Sequence, residues 1–307
     1  MGTVQQTSRQ HLVSQVLLKQ FAMPGPKGSG WQLLPFDLDN PGRLHKLRSP
    51  RACGWAEDFV AFDSASAEEL WGSVERRTPA ALSAVHAGTP FADPLHVTVL
   101  CDLMALHYVR SRHYHEVHTD AFERTRAGLA DELISTFPEE LRREALRETG
   151  LHLSGPGALS AFAERLIQRS SVVHDHQSGK LFRTSIEKVF SKVRKMASAW
   201  HLEILTPEAG QFLLGDNPAL TVHMEETTIT YGMAIGDAQA LVLPIGPKHL
   251  LAAGPKNLMR TVPQALVDRL NLLQVHAAER YVYMHPKSGL EAFTAIATQQ
   301  RTDQKHP

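Results

Sequence analysis

The spacing of apolar residues changes near Trp200, and this change constrains the fold more than any other feature of the chain. From about Pro94 to Arg194 the apolar residues recur with a period near 3.6, which is typical of helices that bury one face. After Trp200 the period is near 2, and Pro, Gly and acidic turns separate short apolar segments: HLEIL, QFLLGD, ALTVH, ALVLPI and HLLAA. The sequence therefore predicts a helical layer followed by a sheet.

The predicted fold class is α+β: a central helical layer packed on a mainly antiparallel or mixed C-terminal sheet, with an N-terminal helix and hairpin. Apolar residues at helical spacing from His11 to Phe21 predict the N-terminal helix. The segments WQLLPFDL and RLHKLRS, separated by the turn-rich DNPGR, predict the hairpin.

Further helices follow from the same spacing. One is predicted from about Ala67 to His86, five between Pro94 and Arg194, and a last one over 263–281. No linker divides the chain. The expected organisation is a frayed N-terminus, one α+β domain and a polar C-terminal tail: residues 1–8, 9–297 and 298–307.

Composition excludes several classes of protein. With 43% hydrophobic residues the chain can bury a core, which a disordered chain could not. Lys and Arg total 32, as do Asp and Glu, so the net charge favours neither long nucleic acid nor a membrane as partner. Cys53 and Cys101 form neither a disulfide framework nor a zinc motif, which indicates a reducing compartment. Without a signal-peptide pattern or a long apolar run, we expect a soluble, cytoplasmic protein.

No strong catalytic signature such as GxxxxGK[ST], GxGxxG, GxSxG or HExxH occurs in the sequence. The most suggestive segment is Gly215-Asp216-Asn217-Pro218, where a carboxylate and an amide directly follow the apolar segment QFLL. A strand end holds side chains rigidly and is a frequent location of ligand-binding or catalytic groups. The structural alternative is a β-turn, in which Asp and Asn hydrogen-bond their own backbone.

Histidines are concentrated in two polar segments, HYVRSRHYHEVH and HDH. Imidazole nitrogens bind transition metals, so a divalent metal ion is a candidate cofactor. The candidate metal ligands are His113, His115, His118, His174 and His176. Alternatively, Arg110 and His115 match an Arg-x4-His pattern of RNA-cleaving helical domains, in which the cation stabilises a phosphorane and the imidazole transfers a proton. A solvated helix end and a polar loop are the structural alternatives.

Glu75 is a further candidate, because it follows Val74 at the edge of the buried face of its predicted helix. A carboxylate at such a position either pairs with an arginine or acts as an acid or base. The sequence leaves both alternatives open.

Several segments, taken in order, resemble a mainly bacterial family of domains of unknown function, numbered 4238. They span nearly the whole chain: QHLVSQVLLKQFA, LWGSVERRTPAAL, ALHYVRS, AWHLEILTPEAGQFLLGDNPAL, LVLPIGPKHLL and RLNLLQVHAAERYVY. The polar residues that fall on the family pattern are His11, Glu75, Arg110, Asp216, Asn217, Lys248, Asn271 and Arg280. The chain departs from the pattern where the family's Tyr, Pro, Gln and Ser are replaced by Leu12, Ser14, His107 and Gly215. The resemblance implies no particular activity.

The first functional hypothesis is a nuclease-like hydrolase that acts at phosphorus on a small anionic or phosphate-containing substrate. A carboxylate or histidine would activate water, directly or through a divalent ion, while Arg110 stabilises the developing charge. The candidate catalytic residues would share one cleft: His11, Glu75, His107, Arg110, Asp216 and Asn217. Three more are candidate ligand-binding residues: Lys248, Asn271 and Arg280.

Two other hypotheses compete with the hydrolase. In one, the same polar residues form a structural network, or bind a small anionic ligand or a protein partner, without catalysis. In the other, the two histidine segments build a metalloenzyme site. A cavity in contact with Asp216 and Arg110 would favour chemistry or ligand binding over a purely structural network.

Overall fold

The computed structural model describes residues 9–225 and 228–305 and shows a mixed α+β fold, which confirms the predicted class. The predicted frayed residues 1–8 lie outside the described residues. The N-terminal part contains short strands around one helix: β1 (Arg9–His11), α1 (Gln15–Gln20), β2 (Met23–Pro24), β3 (Trp31–Gln32), β4 (Leu34–Asp37) and β5 (Trp55–Glu57).

A helical layer follows the N-terminal strands. Its elements are α2 (Ser64–Glu75), α3 (Thr78–His86), α4 (Pro94–Val109), α5 (Arg112–Thr136), α6 (Pro138–Thr149), α7 (Pro156–Gln168), α8 (Ser171–Gln177) and α9 (Lys180–Ala199). Helix α4 lies at the centre of the layer, because every residue from Val99 to Val109 except Tyr108 is buried. A helix that is apolar on all sides is typical of a protein core.

Two of the predicted helices are divided. The helix predicted over 67–86 is interrupted after Glu75, and α3 begins just before Pro79, whose ring occupies its first turn. The chain between α4 and α5 turns at Arg110, and the Ser111 hydroxyl caps α5 by accepting from the Tyr114 N–H. As a result, six helices rather than five lie between 94 and 199.

The C-terminal part contains most of the sheet. Its elements are β6 (His201–Pro207), β7 (Leu214–Gly215), β8 (Leu220–Met224), β9 (Ile229–Tyr231), β10 (Ala240–Gly246), β11 (His249–Gly254), β12 (Leu258–Val262), α10 (Gln264–Ala277), β13 (Tyr281–Met284) and α11 (Glu291–Lys305). Helix α11 continues beyond residue 298, where the sequence predicts a polar tail.

The largest sheet has six strands in the order β12-β6-β11-β10-β8-β9. Its strands are antiparallel except for β12, which runs parallel to β6, so the predicted mixed sheet is confirmed. Three smaller antiparallel sheets are formed by β4-β13-β7, β1-β5 and β2-β3. Of the predicted segment QFLLGD only Leu214 and Gly215 are in a strand.

Alternating side chains of the six-stranded sheet face two different helical partners. Leu241 and Leu243 of β10 join the core cluster that includes Leu103 of α4, whereas Val242 joins a second cluster that includes Val267 of α10. The helical layer therefore covers one face of the sheet and α10 covers the other. Among the described residues, no helix is both long enough and apolar enough to span a bilayer.

The predicted hairpin is only partly present. The segment WQLLPFDL divides into β3 and β4, and the segment RLHKLRS is a loop that joins Leu33 through an isolated bridge at Arg48. Strand β4 pairs instead with β13, and β13 also pairs with β7. This arrangement buries all four residues of β4, which the short local hairpin would not do.

Candidate functional site

A cavity of about 490 Å³ lies between β4, β5 and the ends of β7 and β13, next to Leu12 and Val13, and we call it the main cavity. It includes Asp216 at the end of β7, the strand end at which the sequence predicts a functional carboxylate. Its wall combines apolar and aromatic side chains with charged ones: Leu12, Val13, Pro35, Arg48, Cys53, Trp55, Ala56, Glu57, Arg112, Asp216, Glu279, Arg280, Tyr281 and Tyr283. Such a mixture is typical of ligand-binding cavities of this size.

Asp216 is held by the chain segment that leads into β13. Its Oδ1 accepts from the Glu279 N–H at 2.7 Å, and its Oδ2 accepts from the N–H groups of Arg280 and Tyr281, both at 2.9 Å. Burial raises the pKa of Asp216, while these three bonds and the Arg112 charge act in the opposite direction. The carboxylate oxygens are thus already engaged, so Asp216 positions the wall of the main cavity.

The neighbouring amides of the predicted site have structural partners. Asn217 Oδ1 accepts from the Arg112 N–H at 3.2 Å, and its Nδ2 donates to the Ala277 carbonyl at 2.9 Å. Asn271 on α10 bonds the backbone of Leu213 and Gln211, both at 2.8 Å. These amide side chains supply the hydrogen bonds that the short strand β7 lacks on this side.

Two smaller cavities adjoin the main cavity. The first, of about 190 Å³, shares Pro35, Arg48, Arg280 and Tyr281 with it and also contacts Asp37, Arg43, Leu44, His45 and Lys46; we call it the basic cavity. The second, of about 290 Å³, shares Ala56, Glu57, Arg112 and Glu279 with the main cavity and also contacts Asp58, Phe59, His115 and Glu116; we call it the acidic cavity. The three cavities thus adjoin one another, and we call them together the groove; its two ends carry opposite charges.

The positive end comes mainly from residues 43–48, which we call the basic loop. No residue in the described ranges forms an ion pair with Arg43, Lys46 or Arg48, although all three line the basic cavity. Leu44 of the same loop is 84% exposed. Three cations without partners beside a cavity create a local positive potential in a chain without net charge.

His45 lines the basic cavity and contacts β4. Its Nδ1 accepts from the Asp37 N–H at 3.4 Å, so the proton of the neutral ring lies on Nε2. That Nε2 atom is buried and has no partner among the described residues. The ring is stacked on Phe36 with 4.1 Å between centroids, which fixes its orientation.

Two ion pairs line the groove. Two nitrogen atoms of Arg112 contact the two carboxylate oxygens of Glu279: Nε lies 2.9 Å from Oε2, and Nη1 lies 3.0 Å from Oε1. Arg280 reaches Asp37 at 3.3 Å and Asp39 at 3.6 Å. The Arg280 guanidinium is half-exposed, and the part of it that faces solvent remains able to contact an anion.

Glu75 and Arg110 form an internal pair outside the main cavity. Arg110 is only 2% exposed, and its Nη1 donates to Glu75 Oε1 at 2.9 Å. Its Nε donates to the Leu12 carbonyl at 3.0 Å, and its guanidinium lies 4.9 Å from the centre of the Trp71 ring. Of the two alternatives for Glu75, the structure thus shows the ion pair with an arginine. Glu75 and Arg110 do not line the cavity of Asp216, so the predicted single cleft is not formed.

His11 and Glu68 lie near the same pair. Burial lowers the pKa of His11, and the Arg110 charge lowers it further. Burial raises the pKa of Glu68, although Arg110 opposes this effect. Glu68 Oε1 and Arg110 Nη2 are both buried without a hydrogen-bond partner among the described residues. Sequence reasoning did not identify Glu68.

His107 is fully buried, and both of its ring nitrogens contact the backbone. Its Nε2 accepts from the Ser14 N–H at 3.2 Å, so the proton lies on Nδ1, which donates to the Leu103 carbonyl at 2.9 Å. Burial and the Arg110 charge lower the pKa of His107 to about 3. The ring is therefore neutral at physiological pH and joins α4 to the start of α1.

Three of the predicted histidine metal ligands, His115, His118 and His176, lie close together among aromatic side chains, with 6.1 Å between the ring centroids of His118 and His176. His176 stacks on Phe122 at 3.8 Å between centroids, and His115 contacts the edge of Phe182 at 4.5 Å. His113 lies near Gly232, on a different part of the fold. Within residues 9–225 and 228–305, no group of three or more His, Cys, Asp or Glu is arranged to hold a metal ion. The histidine hypothesis therefore lacks the geometry that it requires.

The groove combines few of the predicted residues with several that sequence reasoning missed. Of the predicted set, Asp216, Arg280 and His115 line it, whereas Lys248 Nζ bonds the Gly210 carbonyl at 2.8 Å elsewhere. The missed residues include Arg48, Trp55 and Tyr281. The segment RLHKLR was predicted to be the second strand of a hairpin, so its place in the wall of a cavity was missed, and single aromatic residues carry no local signal.

The comparisons with known proteins identify a family. No curated protein and no solved structure matches the chain. A family model described as "Protein of unknown function (DUF4238)" matches residues 9–288, which is most of the chain and includes every element that lines the groove. The chain therefore belongs to the DUF4238 family.

Proposed function

We propose that the protein binds a small phosphate-containing ligand at the basic end of the groove. The observation that carries this proposal is the basic cavity, where Arg43, Lys46 and Arg48 have no ion-pair partners among the described residues. Charged N–H groups bind phosphate oxygens strongly, and arginine can do so through two parallel bonds.

The distribution of charge favours a small ligand over long nucleic acid. The cations without partners are confined to one loop, whereas the other end of the groove carries Glu57, Asp58 and Glu116. A nucleic-acid strand needs several phosphate contacts along its length, and the chain as a whole has no net charge. A single phosphate or a diphosphate matches the extent of the basic cavity.

The test is calorimetric titration with inorganic phosphate and pyrophosphate at low ionic strength. We expect the double variant Lys46→Ala, Arg48→Ala to bind pyrophosphate at least tenfold more weakly, because each lost charged contact weakens binding by roughly tenfold. The matched control is Arg124→Ala, Lys192→Ala, which removes two exposed cations from the helical layer. Equal affinity in wild type and the first variant would contradict the proposal, as would the absence of binding.

Hydrolysis at phosphorus is a second candidate function, and Glu57 favours it. Glu57 lines both the main and the acidic cavities, and among the described residues it has no ion-pair partner. In this candidate a phosphodiester lies in the main cavity, where Glu57 can activate water while Arg48 and Arg280 stabilise the developing charge. We expect wild type to hydrolyse bis(p-nitrophenyl) phosphate, with or without added Mg²⁺, and Glu57→Gln to lose turnover while still binding pyrophosphate. No turnover by wild type under either condition would refute this candidate.

A further inference from the structure

The main cavity is too large for a phosphate group alone. Its volume is about 490 Å³, against about 190 Å³ for the basic cavity beside it. The two cavities share Pro35, Arg48, Arg280 and Tyr281, so one ligand can occupy both. A ligand whose phosphate fills the basic cavity would therefore extend a larger group into the main cavity.

The chemistry of the main cavity differs from that of the basic cavity. Glu57, Asp216 and Glu279 place carboxylates in its wall, which disfavours a second anionic group there. The Glu57 carboxylate, which has no ion-pair partner among the described residues, favours hydrogen-bond donors such as hydroxyl and amino groups. The larger part of the ligand is therefore neutral and carries donors.

Three aromatic side chains add a surface for a flat ring. One face of Trp55 is covered by the Arg9 guanidinium at 3.8 Å, and the ring also lines the main cavity. Tyr281 and Tyr283 are stacked with 6.4 Å between centroids, and Tyr281 contacts both cavities. The Tyr283 hydroxyl accepts from the Gly54 N–H at 3.0 Å, which holds this wall in place. Aromatic side chains arranged in this way stack on nucleobases.

We propose that the ligand is a nucleoside phosphate, with its base beside Trp55 and Tyr281 in the main cavity and its phosphate in the basic cavity. The ribose hydroxyls and the amino groups of the base then lie near the carboxylates of the main cavity. This inference rests on the proposed function, because it assigns the rest of the ligand whose phosphate binds the basic loop.

The experiment compares the affinities of inorganic phosphate, adenosine and the four common nucleoside monophosphates by calorimetry. We expect at least one nucleoside monophosphate to bind tenfold or more tightly than inorganic phosphate, and the corresponding nucleoside to compete with it. In Trp55→Leu the preference for the nucleotide should fall at least tenfold while the affinity for inorganic phosphate stays within twofold. Trp31→Leu, which alters an exposed tryptophan outside the groove, should leave both affinities unchanged.

The outcomes separate this inference from the proposed function. If inorganic phosphate binds and no nucleotide binds more tightly, the nucleotide assignment is wrong and phosphate binding stands. If neither phosphate nor any nucleotide binds to wild type, both are wrong. The competition between nucleoside and nucleotide needs no variant, so it decides the assignment even if Trp55→Leu does not fold.

Discussion

Replacing His107 by glutamine isolates the effect of one buried imidazole on the stability of the protein. Glutamine is the residue that the family pattern has at this position, and its amide can take over both roles of the ring. Its oxygen can accept from the Ser14 N–H, and its NH₂ group can donate to the Leu103 carbonyl. We therefore expect His107→Gln to change the free energy of unfolding by less than about 1 kcal/mol at pH 7.5.

The acid range distinguishes the two proteins. The pKa of His107 is about 3 in the folded protein, against an ordinary value of 6.5, so below pH 6.5 the unfolded chain binds a proton that the folded protein does not. Stability therefore falls as the pH falls from 6.5 toward 3. Between pH 7.5 and pH 5.0 this one group should remove about 2 kcal/mol from the free energy of unfolding of wild type. His107→Gln should not lose this amount.

Urea unfolding followed by tryptophan fluorescence at pH 7.5 and pH 5.0 measures the difference. Other histidines with lowered pKa values, such as His249 at about 4, are present in both proteins and cancel in the comparison. The control is His152→Gln, which alters an exposed histidine and should keep the pH dependence of wild type. If wild type and His107→Gln lose the same stability between the two pH values, the buried neutral imidazole is not the cause of the acid sensitivity.

Three further predictions concern internal contacts. Glu75→Ala should lower the free energy of unfolding by about 3 kcal/mol, because it leaves the buried Arg110 guanidinium without its carboxylate; adding Arg110→Met should recover part of the loss. A cost below about 1 kcal/mol would show that the pair is not structural. Asp216→Asn should cost about 2 kcal/mol in urea unfolding, since an amide cannot accept from all three N–H groups that bind the carboxylate; an unchanged midpoint would refute this reading. Both buried thiols have a pKa of about 11, so Ellman's reagent should react slowly at pH 8 until urea unfolds the protein, and fast reaction of the native protein would contradict this burial.

The periodicity of the sequence predicted the layers because each layer follows from local spacing. Leu241 and Leu243 alternate with Val242, and the structure places them against α4 and α10 on opposite faces of the sheet. The central helix α4 was predictable for the same reason, since its apolar residues continue for several turns. These features depend on residues that are neighbours along the chain.

The same reasoning failed at the basic loop. The segment was predicted to be the second strand of a hairpin, yet Leu44 and Leu47 are 84% and 44% exposed. Strand β4 pairs with β13, which follows more than 200 residues later, and the loop joins Leu33 through an isolated bridge at Arg48. Residues 43–47 are not in a strand, and the cations of the loop line a cavity instead.

For the candidate polar residues, too, one part of their role was predictable from the sequence and another part was not. Their presence at strand ends and helix faces was predictable, as was the choice for Glu75 between an ion pair and a catalytic role. Which partner each one meets depended on contacts between distant segments, such as Asp216 with the N–H groups of 279–281 and Arg110 with the Leu12 carbonyl. From the sequence alone, a polar group can be assigned either a catalytic or a structural role. The structure decides between them by showing whether the hydrogen bonds of the group are already made.

The sequence by itself determined the fold class, the order of helices and strands, and membership of a family, because local periodicity and ordered motifs encode them. The tertiary structure alone decided where a ligand could bind. A cavity exists only where segments distant in sequence meet, and here β4, β5, the end of β7, β13 and the basic loop come together. The charge of its two ends depends on which ion pairs form across those segments, and no local pattern of residues specifies them.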